Sequence, residues 1–128
     1  MLKQKTLFSV AIVLVLSAFS IHAQQAAEIF IPIGKSPGIS ENRSIIGTIK
    51  TVDAQKRSFT ITNPSGIFSI QMSKDTQIWR DNSKLKKTNQ AGFVDDLIPG
   101  RVVEVKYIEA EKARTVSAEW IKVEMVKG

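Results

Sequence analysis

The chain of 128 residues contains no cysteine and a single histidine, His22. Without cysteine there is no disulfide framework, no thiolate nucleophile and no cysteine-ligated zinc or iron–sulfur site. Hydrophobic residues make up 43% of the sequence and charged residues 23%, a balance that is typical of one globular domain and not of a disordered chain. The sequence is therefore expected to fold around one modest core.

Residues 1–23 have the pattern of a secretory signal peptide. A basic start and an apolar stretch from Leu7 to Leu16 precede Ala23, which supplies the small residue expected before a cleavage site. The alternative is an uncleaved membrane anchor, but the apolar stretch Leu7–Ile21 is shorter than the roughly 20 residues needed to cross a bilayer. We expect cleavage after Ala23, a periplasmic or secreted protein, and no transmembrane segment in what remains.

The predicted cleavage removes His22 together with Lys3 and Lys5. The remaining 105 residues contain 16 Lys and Arg against 12 Asp and Glu, a formal charge of +4. Because they contain neither histidine nor cysteine, this part of the chain cannot form histidine-based acyl-transfer triads, Cys–His dyads or histidine-ligated metal sites. We therefore predict a non-enzymatic protein without a cofactor, a metal site or catalytic residues.

Residues 24–43 form an N-terminal segment that is predicted to be mostly irregular, because it contains two prolines and two glycines. A short extended stretch is expected at Glu28–Ile33, where Pro32 restricts any strand to a sheet edge. Its apolar residues either dock on the chain's own domain or add a strand to a partner. Docking on its own domain is favoured, since intramolecular closure costs little loop entropy.

Residues 44–126 alternate apolar and polar side chains with a period of two, which predicts strands. A short helical element is expected within Ala91–Ile98 and an exposed basic loop at Asp81–Gln90. In the last strand the apolar phase shifts by one residue between Ala118 and Ile121, which predicts a β-bulge. The predicted strands are Ser44–Asp53, Arg57–Asn63, Ile67–Ser73 resuming at Thr76–Trp79, Arg101–Glu109 and Arg114–Val126.

These elements predict a mainly β fold: a five- to six-stranded OB-like small barrel with one short helix, preceded by the signal peptide and the mostly irregular N-terminal segment. The positions that carry this pattern are Gly47-x-Ile49-x-x-Val52-Asp53, Phe59-x-Ile61, Asp75-Thr76-x-Ile78, Phe93-x-x-x-Leu97-x-Pro99-Gly100 and Ala118-x-x-Ile121-x-Val123. With this spacing the domain resembles exported bacterial OB-like domains of unknown function. The resemblance implies a cell-envelope or secreted protein and carries over no catalytic residues.

A weaker similarity is to the small periplasmic copper/silver-binding chaperones, which share the barrel shape and bind a soft ion with methionine, histidine and a tryptophan face. Met72 and Trp79 are the only candidates near one another in the sequence, since Met125 lies on another predicted strand and the histidine is missing. Soft-metal sites need several sulfur or nitrogen ligands. Because Met72 has the inward phase of its strand, we predict that it packs in the core.

A basic cluster lies at the predicted loop and comprises Arg80, Lys84, Lys86 and Lys87. OB-like folds often bind strands of nucleic acid or sugar with such loops and a sheet face. The cluster either binds an anionic ligand, with Trp79 and Trp120 as aromatic platforms, or is a solvated loop that maintains solubility. Trp120 is either exposed as a contact surface or, as we favour, packed under the N-terminal segment or against the short helix.

The adjacent pair Asp95-Asp96 is predicted to be a solvated face, because neighbouring side chains on a helix diverge by roughly 100° and cannot converge on one substrate. Asp53, Asp75 and Asp81 are interpreted as turn residues. The sequence thus predicts a non-enzymatic exported binding or interaction module of the bacterial cell envelope. The alternative is an OB-type binder of an acidic polymer or anionic lipid surface through the basic loop. The partner would be an envelope protein or an anionic polymer or lipid, and export disfavours nucleic acid.

Overall fold

The structure is a computed structural model that describes residues 30–35, 44–112 and 114–127, with side chains omitted for 108–112. Its strands are β1 (Ser44–Asp53), β2 (Ser58–Asn63), β3 (Gly66–Gln71), β4 (Gln77–Asp81), β5 (Gln90–Ala91), β6 (Val102–Lys112) and β7 (Thr115–Glu124). Two short 3-10 turns, Ser83–Leu85 and Val94–Asp96, lie between β4 and β6. The predicted signal peptide lies outside the described residues, as does most of the N-terminal segment.

The chain divides into two compact units, and all the strands belong to the second, Ile31–Gly128. Of the first unit only Phe30 is described, and 60% of its surface is exposed. Within the described ranges, no helix has both the length and the apolar character that crossing a membrane requires.

Five of the strands close into a barrel. The sheet runs in the order β3-β2-β1-β6-β7, and β7 pairs again with β3, in parallel, over Ser69–Gln71 and Thr115–Ser117. Strands β4 and β5 extend the sheet beyond β7. The predicted OB-like barrel is confirmed, with two strands added to the closed five.

The predicted helical element within Ala91–Ile98 is reduced to one 3-10 turn, Val94–Asp96. Phe93 before it and Leu97 after it both have extended backbone. Leu97 is the residue of this stretch that enters the core, with 4% of its surface exposed. The extended backbone at Phe93 and Leu97 limits the element to this one turn.

The predicted β-bulge is confirmed in β7. Trp120 pairs with Lys106 while Ala118 pairs with the next residue of β6, Tyr107, so that Glu119 is the extra residue. Before the bulge β7 pairs with β3, and after it Trp120–Glu124 pairs with β4. The bulge therefore lies where the parallel partner of β7 changes from β3 to β4.

The core is formed by the inward side chains of all the long strands. Its buried members are Ile49, Phe59, Ile61, Ile70, Met72, Ile78, Leu97, Val103, Val105, Val116, Ala118, Ile121 and Val123. The interpretation of Met72 as a core residue is confirmed, since only 2% of its surface is exposed. Gly47 allows β1 to lie close to β2, because a Cβ at this position would lie 2.8 Å from the Thr62 carbonyl oxygen.

Candidate functional site

A cluster of two arginines, an aspartate and a phenylalanine lies beside the Val94–Asp96 turn at one end of the barrel. We call Arg80, Phe93, Asp96 and Arg101 the barrel-end cluster. The Nε of Arg80 donates to Oδ2 of Asp96 at 2.9 Å, and the same oxygen accepts the backbone N–H of Phe93 at 2.8 Å. Nη1 of Arg101 donates to the Asp96 carbonyl oxygen at 2.8 Å. Asp96 thus holds both guanidinium groups and the start of the turn.

The prediction that Asp95 and Asp96 form a solvated face is wrong for Asp96, of which only 8% is exposed. Asp95 is exposed, as predicted. The two differ because the extended backbone at Phe93 begins a tight turn that directs Asp96 toward its own backbone and Arg80. The adjacent carboxylates therefore point to different environments.

Phe93 is the aromatic platform that the sequence reasoning missed. Its surface is 65% exposed, and Cζ of Arg80 lies 5.7 Å from its ring centroid. Among the described residues, Arg80 makes side-chain hydrogen bonds only through Nε, so its two Nη groups have no hydrogen-bond partner in that part of the chain. A guanidinium with a free fork beside an exposed ring can bind a carboxylate, phosphate or sulfate group next to an apolar or planar one.

The remaining predicted site residues do not join this cluster. Lys84 donates to Oε1 of Glu124 at 3.0 Å. Lys86 closes the 3-10 turn in the left-handed conformation with φ 56°, and both it and Lys87 are exposed. Trp79 and Trp120 lie on the opposite face of their strands from Arg80 and from the core, because side chains alternate along a strand. Binding of a ligand by these residues stays a prediction.

The second polar cluster lies on the outside of the barrel. It comprises Trp79, Asp81, Glu104, Trp120 and Lys122, which we call the outer face. The register places Lys122 of β7 between Glu104 of β6 and Trp79 of β4. Lys122 is 0% exposed, Asp81 2% and Glu104 3%. Charged side chains on the outside of a barrel are normally solvated, so something must cover them.

Residues 31–35, which we call the strap, lie on the outer face. Nζ of Lys122 donates to the Ile31 carbonyl oxygen at 2.9 Å, and Oδ2 of Asp81 accepts the Ile33 backbone N–H at 3.0 Å. The favoured alternative, docking of this segment on its own barrel, is therefore confirmed for its part Ile31–Ile33. Its predicted extended form is wrong there. The strap is a turn, closed by a 3.0 Å hydrogen bond from Lys35 N to the Pro32 carbonyl, and Gly34 takes φ 81°.

Trp120 is buried on this face, with 9% of its surface exposed, in agreement with the packed alternative favoured above. Nζ of Lys122 lies 4.8 Å from the Trp120 ring centroid, a cation–π distance. The expected exposure of Asp81 is wrong, because Asp81 ends β4 and is covered by the strap. Its interpretation as a turn residue is confirmed, since Oδ1 accepts the Ser83 backbone N–H at 3.0 Å. The alternation of the sequence assigns these residues to the outside but does not show that the outside is covered.

The pKa of Asp81 reflects its contacts with the strap. Burial by itself raises this pKa, but hydrogen bonds from the Ile33 backbone N–H and from the hydroxyl and backbone N–H of Ser83 lower it, as does the positive charge of Lys122. The net result is a pKa below the ordinary value of 3.8. Asp81 is therefore ionised at neutral pH.

The lowered pKa of Asp81 predicts how stability depends on pH. Ionised Asp81 stabilises the folded protein above its ordinary pKa of 3.8, and this contribution is lost as the pH falls through the lower folded value. Wild type is expected to be more stable than Asp81→Asn at neutral pH, with the difference disappearing in strong acid. Urea unfolding of both proteins at a series of pH values measures this. A difference that is constant with pH would contradict the assignment.

In the described part of the chain, no group of three or more His, Cys, Asp or Glu side chains is placed to hold a metal ion. Met72 lies in the core, whereas Trp79 lies on the outer face. The two residues that the weaker resemblance indicated are therefore not brought together on one surface.

No protein-family model and no curated protein sequence matches the chain. Among solved structures, a tryptophan-to-alanine variant of CusF from Escherichia coli with Cu(II) matches at 14% identity and a TM-score of 0.44, covering 65% of this chain and 91% of that one. CusF from Escherichia coli with Ag(I) gives the same values. Another Ag(I) CusF structure matches at 14% identity and a TM-score of 0.41, covering 62% and 93%. The chain is similar to these copper- and silver-bound barrels in its small β-barrel fold.

Proposed function

We propose that this protein is a non-enzymatic binding module of the bacterial cell envelope, periplasmic or secreted, and that it binds an anionic group at the barrel-end cluster. The observation that carries the proposal is Arg80, which is fixed by Asp96 and keeps two Nη groups unbonded in the described structure beside the exposed Phe93 ring. The pattern of residues 1–23 supports export. The lack of histidine and cysteine in residues 24–128 supports the absence of catalysis.

Preorganisation is the physical reason for assigning the ligand to Arg80. The ion pair with Asp96 restricts the rotamers of the Arg80 side chain before a ligand arrives, so that less conformational entropy is lost on binding. Arg101 is held by the same Asp96 through its carbonyl oxygen and adds a second positive charge. Asp95 and Asp96 of the turn balance the two guanidinium groups in formal charge, so the proposal rests on the Nη groups of Arg80 and not on a net positive charge.

The exposed Phe93 ring is compatible with two sources of the anionic group, an anionic lipid surface and an acidic polymer. An exposed ring beside a guanidinium suits a lipid surface, where the ring enters the headgroup region and the arginine binds phosphate. It also suits a sulfated or carboxylated polymer, whose sugar rings pack on the aromatic face. Heparin and phosphatidylglycerol vesicles therefore serve as the two probes.

Arg80→Lys is expected to weaken binding of the protein to the preferred probe about ten-fold, the effect of losing one charge-assisted hydrogen bond of about 1.5 kcal/mol. The lysine keeps the charge and the pairing with Asp96 but not the planar fork. Salt-dependent elution from heparin and vesicle co-sedimentation measure binding, and thermal unfolding confirms the fold.

Lys74→Gln is the control, because Lys74 is exposed in the turn before β4, at the opposite end of this strand from Arg80. Equal effects of the two substitutions, or binding that does not weaken at high salt, would refute the proposal. Phe93→Ala is expected to weaken binding to whichever probe is the true source. A loss on vesicles alone assigns the lipid, and a loss on heparin alone assigns the polymer.

A further inference from the structure

The outer face holds the strap by its backbone. The Lys122 ammonium binds the Ile31 carbonyl and the Asp81 carboxylate binds the Ile33 N–H, so a donor and an acceptor recognise two peptide groups that are two residues apart. Neither contact uses a side chain of the strap. These two contacts therefore recognise polypeptide backbone, while the side chains of Ile31, Pro32 and Ile33 are half-buried on the same face.

The buried charges favour a strap that can leave. Burying an ammonium or a carboxylate costs several kcal/mol, and apolar residues at these positions would hold a permanent cover without that cost. Lys122 and Asp81 are 0% and 2% exposed beneath the strap. When the strap is released both charges regain water, and their hydration offsets part of the free energy of opening.

Two further polar atoms on this face are not used by the strap. Oε1 of Glu104 and Nε1 of Trp79 are buried and have no hydrogen-bond partner among the described residues. The second carboxylate oxygen of Glu104 accepts the Ser44 hydroxyl at 2.9 Å. Because Glu104 and Trp79 lie on either side of Lys122 in the register, the face offers one spare acceptor and one spare donor. A longer peptide segment carries the N–H and C=O groups that would satisfy them.

We propose that the outer face is a binding site for a segment of a partner polypeptide, which displaces the strap. The partner segment presents backbone C=O groups to Lys122 and Trp79 and backbone N–H groups to Asp81 and Glu104. The site is distinct from the barrel-end cluster, and neither proposal depends on the other.

A peptide added in trans tests the site with the full chain. The probe is a fluorescent peptide with the sequence of Glu28–Lys35, and its binding is followed by fluorescence anisotropy. Ile33→Pro in the chain removes the N–H that Asp81 accepts and so weakens the strap without changing the barrel. We expect the Ile33→Pro chain to bind the peptide about ten-fold or more tightly than wild type, since the competing contact is a hydrogen bond to a charged group.

Two controls separate this site from nonspecific binding. A peptide that is N-methylated at the amide equivalent to Ile33 lacks the recognised N–H. We expect it to bind the Ile33→Pro chain no more tightly than it binds wild type. Lys122→Met in the Ile33→Pro chain is also expected to lose the gain in affinity. This variant removes the positive charge beside the buried Asp81 carboxylate, so thermal unfolding is used to check that it folds, and the methylated peptide tests the site without changing the chain. Equal binding of the methylated and unmethylated peptides, or no gain with Ile33→Pro, would overturn the proposal. A wild-type dimer that Ile33→Pro abolishes in sedimentation would assign the site to the strap of a second copy instead, and would also overturn it.

Discussion

Replacing Asp96 with alanine is expected to lower the free energy of unfolding by about 2–3 kcal/mol. The carboxylate is 8% exposed and accepts from both Arg80 Nε and the Phe93 backbone N–H, so its removal leaves a guanidinium and a turn N–H without their partner. The Arg80 side chain is 32% exposed, and solvent screening limits the share of the ion pair itself. Urea denaturation at equilibrium measures the loss.

The neighbouring residue provides the matched control. Asp95 is exposed, and Asp95→Ala is expected to change the stability by no more than about 0.5 kcal/mol. Asp96→Asn keeps an oxygen that can accept both hydrogen bonds but loses the charge, and it is expected to lie between the two alanine variants. Equal destabilisation by Asp95→Ala and Asp96→Ala would contradict the structure of this turn.

Phe59→Ala is expected to cost about 3–5 kcal/mol, the largest effect of a single substitution considered for this chain. Phe59 lies in β2 with 2% of its surface exposed, and its ring is among the largest fully buried side chains of the described barrel. Truncation removes apolar burial and leaves a cavity. Urea and thermal denaturation measure the change. If the alanine variant does not fold, Phe59→Leu is expected to fold with a loss of about 1.5 kcal/mol.

Phe93→Ala is the comparison for Phe59→Ala, since it deletes the same side chain from an exposed position. Its ring is 65% exposed, and the expected change in stability is no more than about 0.5 kcal/mol. For ligand binding the order of the two positions is opposite to that for stability. Phe93→Ala is expected to weaken binding, whereas folded Phe59→Leu is expected to leave it unchanged. Similar stability losses at the two positions would contradict the assigned burial.

The strands and their inner face could be predicted because the alternation of apolar and polar residues along a strand shows which side chains face the core. Phe59, Ile61, Val103 and Val105 have the inward phase in the sequence, and all are buried. The phase slip before Ile121 likewise predicted the bulge, because one extra residue inverts the side of every residue after it. The inward phase and the bulge could be predicted because both are determined by residues that are close together in the sequence.

The partners of the charged residues could not be predicted in the same way. Arg80 and Lys84 were grouped as one basic cluster, but their ion-pair partners Asp96 and Glu124 lie 16 and 40 positions away in the sequence. Arg80 and Trp79 are adjacent in sequence and point to opposite faces. Proximity along the chain therefore suggested a joint binding surface that the tertiary structure divides between the barrel end and the outer face.

By itself, the sequence determined a small mainly β barrel, its inward residues, the bulge in its last strand, and the lack of cysteine and histidine in residues 24–128. Only the tertiary structure decided which outward residues are exposed. Lys122 and Asp81 have the outward phase, yet they are buried because a segment 91 and 48 positions earlier lies over them. Alternation specifies the side of a strand to which a residue points, whereas the cover on that side comes from distant chain and depends on long-range contacts.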